Sequence, residues 1–479
     1  MALTRPGETC WKLARAHRVK FLIDGQAYFA ALRAALLSAR TSIHLLGWGF
    51  DPRIRLEPAD ETDIGQLLLS LCKAKPDLDI RVLVWRSALP ISATQAFFPH
   101  RAQAWFRGSG VDFRLDAAVP FGACHHQKVV IIDGALAFVG GADLMAGRWD
   151  SPDHLDIDPR RSLGDHVCPP RHELMAMVDG PAAAAFDELF RERWADDDGP
   201  NVQDEPRADL WPDETPPDLT DVDIGIARTE PAWRGAPGVR EIAVLTLAAI
   251  AQAKRTIYIE NQYFTWPLAV EALAARLAEP DGPEVVLIVS AHSPSYFDRI
   301  TMDRARTTAL WRLKAGDVFG RFHALAPHTA GGQPIVVHAK AMIVDDTLAR
   351  VSSANLNNRS HGFDTECELV VEATNQTQRD GIAALRDRLA GHWVGHPAAE
   401  LAEARASGAR LGDSLWALDA GARLRPVEDQ RLGPFGEFIA DFHLGDPTGV
   451  SDSWRLGRRH RKLLDESRAL RAALAGRPG

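Results

Sequence analysis

Two histidines and two lysines recur at matched spacing. His126-x-Lys128-x4-Asp133 lies within GACHHQKVVIIDGALAFVGGADL, residues 122–144, and His338-x-Lys340-x4-Asp345 lies within VVHAKAMIVDDTLARVSSANL, residues 336–356. The second His, Lys and Asp each follow their counterparts by 212 residues. One sparse pattern arises easily by chance, but two copies in the same apolar setting are a strong signal. A run rich in Val and Ile predicts a strand, and residues two apart on a strand share one face. Each imidazole and its ammonium therefore point to the same place. If the two copies face each other, one cleft holds two His and two Lys, a set that suits a phosphodiester. The ammoniums offset the charge on the non-bridging oxygens. One neutral His attacks phosphorus, and the other, protonated, donates to the leaving oxygen. The halves are chemically alike, so spacing leaves open which His attacks. Lys is seldom a metal ligand and supplies the electrostatics itself, so neither a metal nor another cofactor is expected.

Asp133 and Asp345 fall where these strands should end, and a structural role in closing the turns is expected of both. Gly140-Gly141 and Ser352-Ser353 begin seven residues after each Asp. Small residues there would let backbone N–H groups approach an anion. Gly141, Asp143, Ser353 and Asn355 are the expected substrate-binding positions of these turns.

The elements that must carry these residues also repeat. In the first half the periodicity predicts a helix over 25–40, a strand over 42–50, a helix over 64–72 and a buried strand over 80–85. An amphipathic helix over 94–106, with Phe97 and Phe98, is a candidate lining for an acyl-chain entrance. The motif, a long loop over 147–171, a strand over 172–178 and a helix over 182–194 follow. The second half offers the same order: a helix over 239–254, strands over 256–264, 284–289, 335–345 and 368–372, and a helix ending near Trp393. Alternating strands and helices imply an α/β class. The expected division is 1–197 for one half, an acidic Pro-rich linker over 198–224, 225–400 for the other half and an extension over 401–479. Arg455, Arg458, Arg459, Arg461 and Lys462 in that extension predict a solvated helix packed on the second half, since Asp465 and Glu466 interrupt the basic run.

Composition narrows the partners. The chain has 479 residues, of which 46% are hydrophobic, and a formal net charge of −9, which argues against a duplex-binding protein. Its five Cys show no disulfide or zinc spacing. The N-terminus lacks an apolar signal core, and no run reaches the roughly 18 apolar residues of a spanning helix. A monomer made in the cytoplasm, and at most peripheral on membranes, is expected.

The chain resembles the phospholipase D superfamily, in particular its two-motif phospholipase D and phosphatidyltransferase branch. Beyond the two motifs, the likeness is carried by Gly147-Arg148-Trp149-Asp150, by Ile257-Tyr258-Ile259-Glu260-Asn261-Gln262-Tyr263-Phe264, and by Arg359-Ser360 and Asp364-Thr365-Glu366. It covers about residues 18–400. The resemblance implies two α-β-α sandwich halves packed face to face as a pseudo-two-fold bilobal monomer, with the site at their junction. It also implies a carboxylate on the second nitrogen of each His. Glu366 is then expected to serve His338, and Glu173, in Arg171-His172-Glu173, to serve His126. The family makes the N-terminal His126 the nucleophile and His338 the acid. The expected substrate is a glycerophospholipid at a membrane surface, with water or an alcohol as acceptor. Trp149, with Trp48, Tyr263 and Phe264, is a candidate cation–π cage for a choline headgroup. The implied activity is a phospholipase D giving phosphatidic acid. A cardiolipin-synthase-like transferase, a superfamily nuclease and an inactive lipid-binding scaffold are the alternatives.

Overall fold

Two twelve-residue strands, Lys12–Ile23 and Leu219–Glu230, form the middle of the molecule. They pair antiparallel, with Lys12 opposite Ile226 and Val19 opposite Leu219. The computed structural model describes residues 2–87, 99–164, 166–194, 209–430 and 445–449. From the central pair the sheet grows outward in the same order on both sides. In the first half it runs through Leu174–Asp179, Leu136–Gly140, Val129–Ile132, Ser42–Gly47, Asp79–Trp85 and Val111–Asp116. In the second it runs through Glu366–Glu372, Leu348–Ser352, Ala341–Val344, Thr256–Glu260, Glu284–Ile288 and Phe322–Pro327. This mirror order places a pseudo-two-fold axis between the central strands and makes the fold a bilobal α/β structure.

Helices cover both faces. Asp24–Ser38 and Ile64–Ala74 pack on the first half through Tyr28, Phe29, Leu32, Ile64 and Leu68. Glu241–Gln252 and Pro267–Leu277 pack on the second through Ile242, Leu245, Val270 and Leu273. On the opposite face the two halves share one core. Phe186, Phe190 and Trp194 of helix Pro181–Trp194 join Leu385, Leu389 and Trp393 of helix Gln376–Val394. Burial of this much apolar surface fixes one half against the other.

The division expected from sequence needs two corrections. The acidic linker does not extend to residue 224, because Leu219–Glu230 is a central strand. Its alternation buries Leu219, Val222, Ile224 and Ile226 and leaves Asp221 and Asp223 in solvent. Leu210 and Trp211 are also in the core. The boundary at residue 400 falls inside helix Ala398–Ala406, and Leu401, Leu411 and Leu415 complete the shared core. The expected helix over 94–106 is present as Pro99–Trp105. Phe97, Phe98 and the basic cluster 455–462 lie outside the described residues. Among the described residues no helix is long and apolar enough to cross a membrane.

Asp133 and Asp345 close equivalent turns, both at φ 52°. The Asp133 carboxylate accepts the backbone N–H groups of Arg40, Thr41 and Ser42 at 2.8–3.1 Å. Asp345 accepts those of Lys254, Arg255 and Thr256 at 2.6–2.9 Å. Each motif Asp thus ties its turn to the start of the neighbouring strand.

Candidate active site

The residues His126–Lys128 and His338–Lys340 run extended just ahead of the strands Val129–Ile132 and Ala341–Val344. The ladder therefore starts one residue beyond each Lys, later than expected. Freed from their own half, both segments pair in parallel with the other half. Thr365 donates its N–H to Cys124 O and accepts that of His126, both at 3.0 Å. Val336 donates to Pro170 O at 2.9 Å, and His338 donates to His172 O at 2.8 Å. This cross-pairing sets His126 beside Glu366 and His338 beside Glu173.

The carboxylate partners are consequently exchanged relative to the sequence expectation. His126 Nδ1 donates to Glu366 at 2.9 and 3.0 Å. His338 Nδ1 donates to Glu173 Oε2 at 2.8 Å. Each half supplies the histidine of one dyad and the glutamate of the other. With Nδ1 held, Nε2 is the ring nitrogen left for chemistry. Both glutamates are fully buried.

The lysines lie on the same side of the chain as their histidines. Lys128 Nζ donates to His126 O at 2.7 Å and sits 3.5 Å from Asp143 Oδ2. Lys340 Nζ donates to His338 O at 2.6 Å and to Gln262 Oε1 at 3.2 Å. Asp143 is further held by the N–H groups of Trp48 and Gly49. Asn355, its counterpart, donates its backbone N–H to Ser360 Oγ at 3.0 Å, and its buried Oδ1 has no hydrogen-bond partner. Gly141 sits where the halves meet. A Cβ there would lie 3.1 Å from His338 O and 3.2 Å from Lys340 Cδ, so a side chain would push the two motifs apart.

Several expected roles change. The N–H groups of Gly141 and Ser353 do not face an anion; they donate to Leu174 O at 3.4 Å and Cys367 O at 3.0 Å. Their strands continue farther than the Gly and Ser pairs implied. The Ser353 hydroxyl instead donates to Glu366 at 2.5 Å. Trp149 is no headgroup cage. It packs in the first-half core, with the Arg160 guanidinium 5.2 Å over its ring. Phe264 is likewise buried in the second-half core.

Sequence reasoning also passed over two cations. Arg148 Nε and Arg171 Nη1 approach Glu173 Oε1 at 3.6 and 3.8 Å, too far for good hydrogen bonds. Both nitrogens are buried without a hydrogen-bond partner. They belong to the Gly147-Arg148-Trp149-Asp150 and Arg171-His172-Glu173 segments, where position alone did not mark them as functional.

Burial dominates the titration of the site. It pushes Glu366 up to about 7 and raises Glu173. Burial, then Lys128 and Lys340, hold His126 well below its usual range. Burial, then Lys340, Arg148 and Arg171, do the same to His338. Lys128 and Lys340 each bear on both histidines, so the two motifs share one electrostatic environment. Burial also lowers Lys340 well below the usual amine range, and the arrangement provides two carboxylate-held imidazoles and two buried lysine amines, Lys128 and Lys340, for an anionic ester. A separate group, Asp24, His154, His172 and His392, begins one residue along from Glu173 and has donors suited to a metal ion.

Comparisons with known proteins agree with this architecture. Residues 35–214 match the family model described as "Phospholipase D", and residues 246–386 match "Cardiolipin synthase, PLD-like domain". The chain is 26% identical over 445 residues to phospholipase D A of Dictyostelium discoideum, covering 78% of this chain and 34% of that protein. It is 28% identical over 373 residues to cardiolipin synthase A of Pseudomonas putida, covering 74% and 65%. It is 25% identical over 488 residues to phospholipase D alpha 4 of Arabidopsis thaliana, covering 76% and 62%. The chain thus spans from a third to just under two thirds of these relatives. The crystal structure of a phosphatidylserine synthase from Haemophilus influenzae shares the fold, with a TM-score of 0.56 and 14% identity over 80% of this chain and 88% of that one.

Proposed function

This chain belongs to the phospholipase D superfamily, and we propose that it cleaves the distal phosphodiester of glycerophospholipids to phosphatidic acid and a headgroup alcohol. The observation that carries this reading is the pair of crossed dyads, His126–Glu366 and His338–Glu173, flanked by Lys128 and Lys340. His126 Nε2 attacks phosphorus, forming a P–N bond as the P–O bond to the headgroup breaks. His338 gives its proton to the departing oxygen. His338 then takes a proton from water or an alcohol, whose oxygen attacks phosphorus and expels His126. Glu366 and Glu173 balance the imidazolium that forms on each ring in turn. Lys128 and Lys340 hold the non-bridging oxygens, so the chemistry calls for no metal. A chain acting from the cytoplasm would meet its lipid at a membrane surface. Phe121, 86% exposed, and Tyr296, 79% exposed, are apolar side chains available to meet it.

Incubation with phosphatidylcholine vesicles and a primary alcohol tests this reading. Phosphatidic acid and the phosphatidyl alcohol are both expected; neither product would refute it. The match of residues 246–386 and the similarity to cardiolipin synthase A favour a second reading, transfer to another phosphatidylglycerol. With phosphatidylglycerol as sole lipid, cardiolipin with free glycerol supports transfer, and phosphatidic acid supports hydrolysis. The histidine roles are open to a parallel check. Burial and the neighbouring cations favour the neutral form of both histidines, and mapping of the phosphorylated peptide decides which one attacks.

A further inference from the structure

Three histidines and an aspartate converge behind the His338 dyad, from segments far apart in sequence. Asp24 opens helix Asp24–Ser38, His154 lies in the loop after Asp150, His172 precedes Glu173, and His392 comes from helix Gln376–Val394 of the second half. One ligand atom from each lies within 4.8 Å of all the others.

The atoms at its centre are poorly satisfied by one another. Asp24 Oδ2 is buried and has no hydrogen-bond partner. It lies 3.5 Å from His392 Nε2 and 3.7 Å from His154 Nε2, while those two ring nitrogens are 2.9 Å apart. Two imidazole nitrogens facing each other need a proton between them or a cation beside them. Ligands at about 2.0–2.1 Å from a tetrahedral zinc are separated by about 3.3–3.4 Å. The three observed edges bracket that value.

The outer partners follow the pattern of metal-bound histidines, which usually donate their second N–H to a carboxylate. His154 Nδ1 donates to Asp150 Oδ2 at 2.8 Å. His172 Nε2 donates to Glu260 Oε2 at 3.0 Å, and its Nδ1 lies 2.8 Å from Asp24 Oδ1. Arg161 anchors Asp150 at 2.8 Å, and Tyr258 and Trp393 anchor Glu260. Asp24 is also held at φ 67°, a left-handed conformation that costs a non-glycine residue energy and recurs at ligand sites.

Charge points the same way. The carboxylates of Asp24, Asp150 and Glu260 face the group, against Arg161 and the more distant Arg423. With neutral histidines the group keeps surplus negative charge. The competing occupant is a proton on His172, where Asp24 and Glu260 outweigh burial and push the pKa up to about 10.

The geometry points to a structural divalent transition-metal site, suited to zinc, formed by Asp24, His154 and His392 with His172 as the fourth ligand. It is distinct from the reacting histidines and does not depend on which lipid is cleaved. Its ligands tie the first half to the second. Through His172, whose carbonyl accepts the His338 N–H, it steadies the segment that carries Glu173.

The test is metal analysis of the full chain, purified without an affinity metal and dialysed against a weak chelator. About one zinc per chain is expected, and it should fall well below half in His154→Gln and His392→Gln. A strong chelator should lower the melting temperature of the wild type, and added zinc should restore it. Cobalt in place of zinc should give the visible absorption of a tetrahedral N/O site, absent from both variants. A chain that purifies without a transition metal, and whose melting ignores both chelator and zinc, overturns the site. Metal retained at full occupancy by both variants overturns it equally. The wild-type measurements decide even if a variant fails to fold.

Discussion

Crossing of the dyads makes a prediction that does not depend on which histidine attacks. Glu366→Gln keeps the shape of the side chain that meets His126 at 2.9 Å but removes its charge. A hydrogen bond to a charged partner contributes about 1.5–3 kcal/mol and a neutral one about 0.5–1.5, so about 1–2 kcal/mol of imidazolium stabilisation should go. That corresponds to about a 5- to 30-fold loss in turnover. Glu173→Gln should cost more, because Arg148 and Arg171 also face that carboxylate and would remain buried and unbalanced. The burst of nitrophenol from a phosphatidyl p-nitrophenyl ester separates the two steps, since this leaving group needs no proton. Whichever histidine is the acid, its Asn variant should be rescued by that substrate, and so should the Gln variant of the glutamate from the opposite half. Rescue of Glu173→Gln together with His338→Asn, but of neither Glu366→Gln nor His126→Asn, is the pattern if His126 attacks. If Glu366→Gln instead behaves like His338→Asn, the dyads do not cross and the cleft geometry is wrong.

Other consequences follow from single interactions. Asp133→Ala removes the acceptor for three backbone N–H groups and should lower stability by about 1–2 kcal/mol in denaturant titration. Turnover per folded molecule should stay unchanged. Lys128→Ala or Lys340→Ala should reduce kcat per folded molecule by about 10²–10³, as loss of an oxyanion partner does elsewhere. Burial would lower the pKa of His44, but Asp187 at 2.6 Å and Asp79 at 3.5 Å outweigh it and hold the ring above its usual value. That contribution to stability is complete below the unfolded value of about 6.5 and fades as pH rises through the folded one. The melting temperature should therefore fall as pH rises above about 6.5, and His44→Asn should flatten the slope.

The chemistry of the site was legible because it is local. His126, Lys128, His338 and Lys340 sit two apart in short apolar runs, and their repetition announced a shared cleft. The pairing of each histidine with a glutamate was not local. Glu366 lies 28 residues after His338, and proximity in sequence favoured that match. Only the parallel pairing of Cys124–His126 with Thr365, and of Val336–His338 with Pro170–His172, reveals the exchange. The central strands were missed for a related reason. Lys12–Ile23 was assigned no element and the start of Leu219–Glu230 was placed in a linker, although both alternate in the manner of half-buried strands. Trp149 misled because an aromatic ring beside a motif resembles a cation cage, whereas its depth in the core is set by tertiary packing. The group formed by residues 24, 154, 172 and 392 has no sequence spacing to read.

In the proposed reaction phosphorus is captured by a histidine nitrogen of this crossed site. Rapid quenching of the enzyme with lipid labelled in its acyl chains, followed by peptide mapping, tests it directly. An acid-labile phosphatidyl group on His126 is expected. Turnover without label on either His126 or His338 would contradict it.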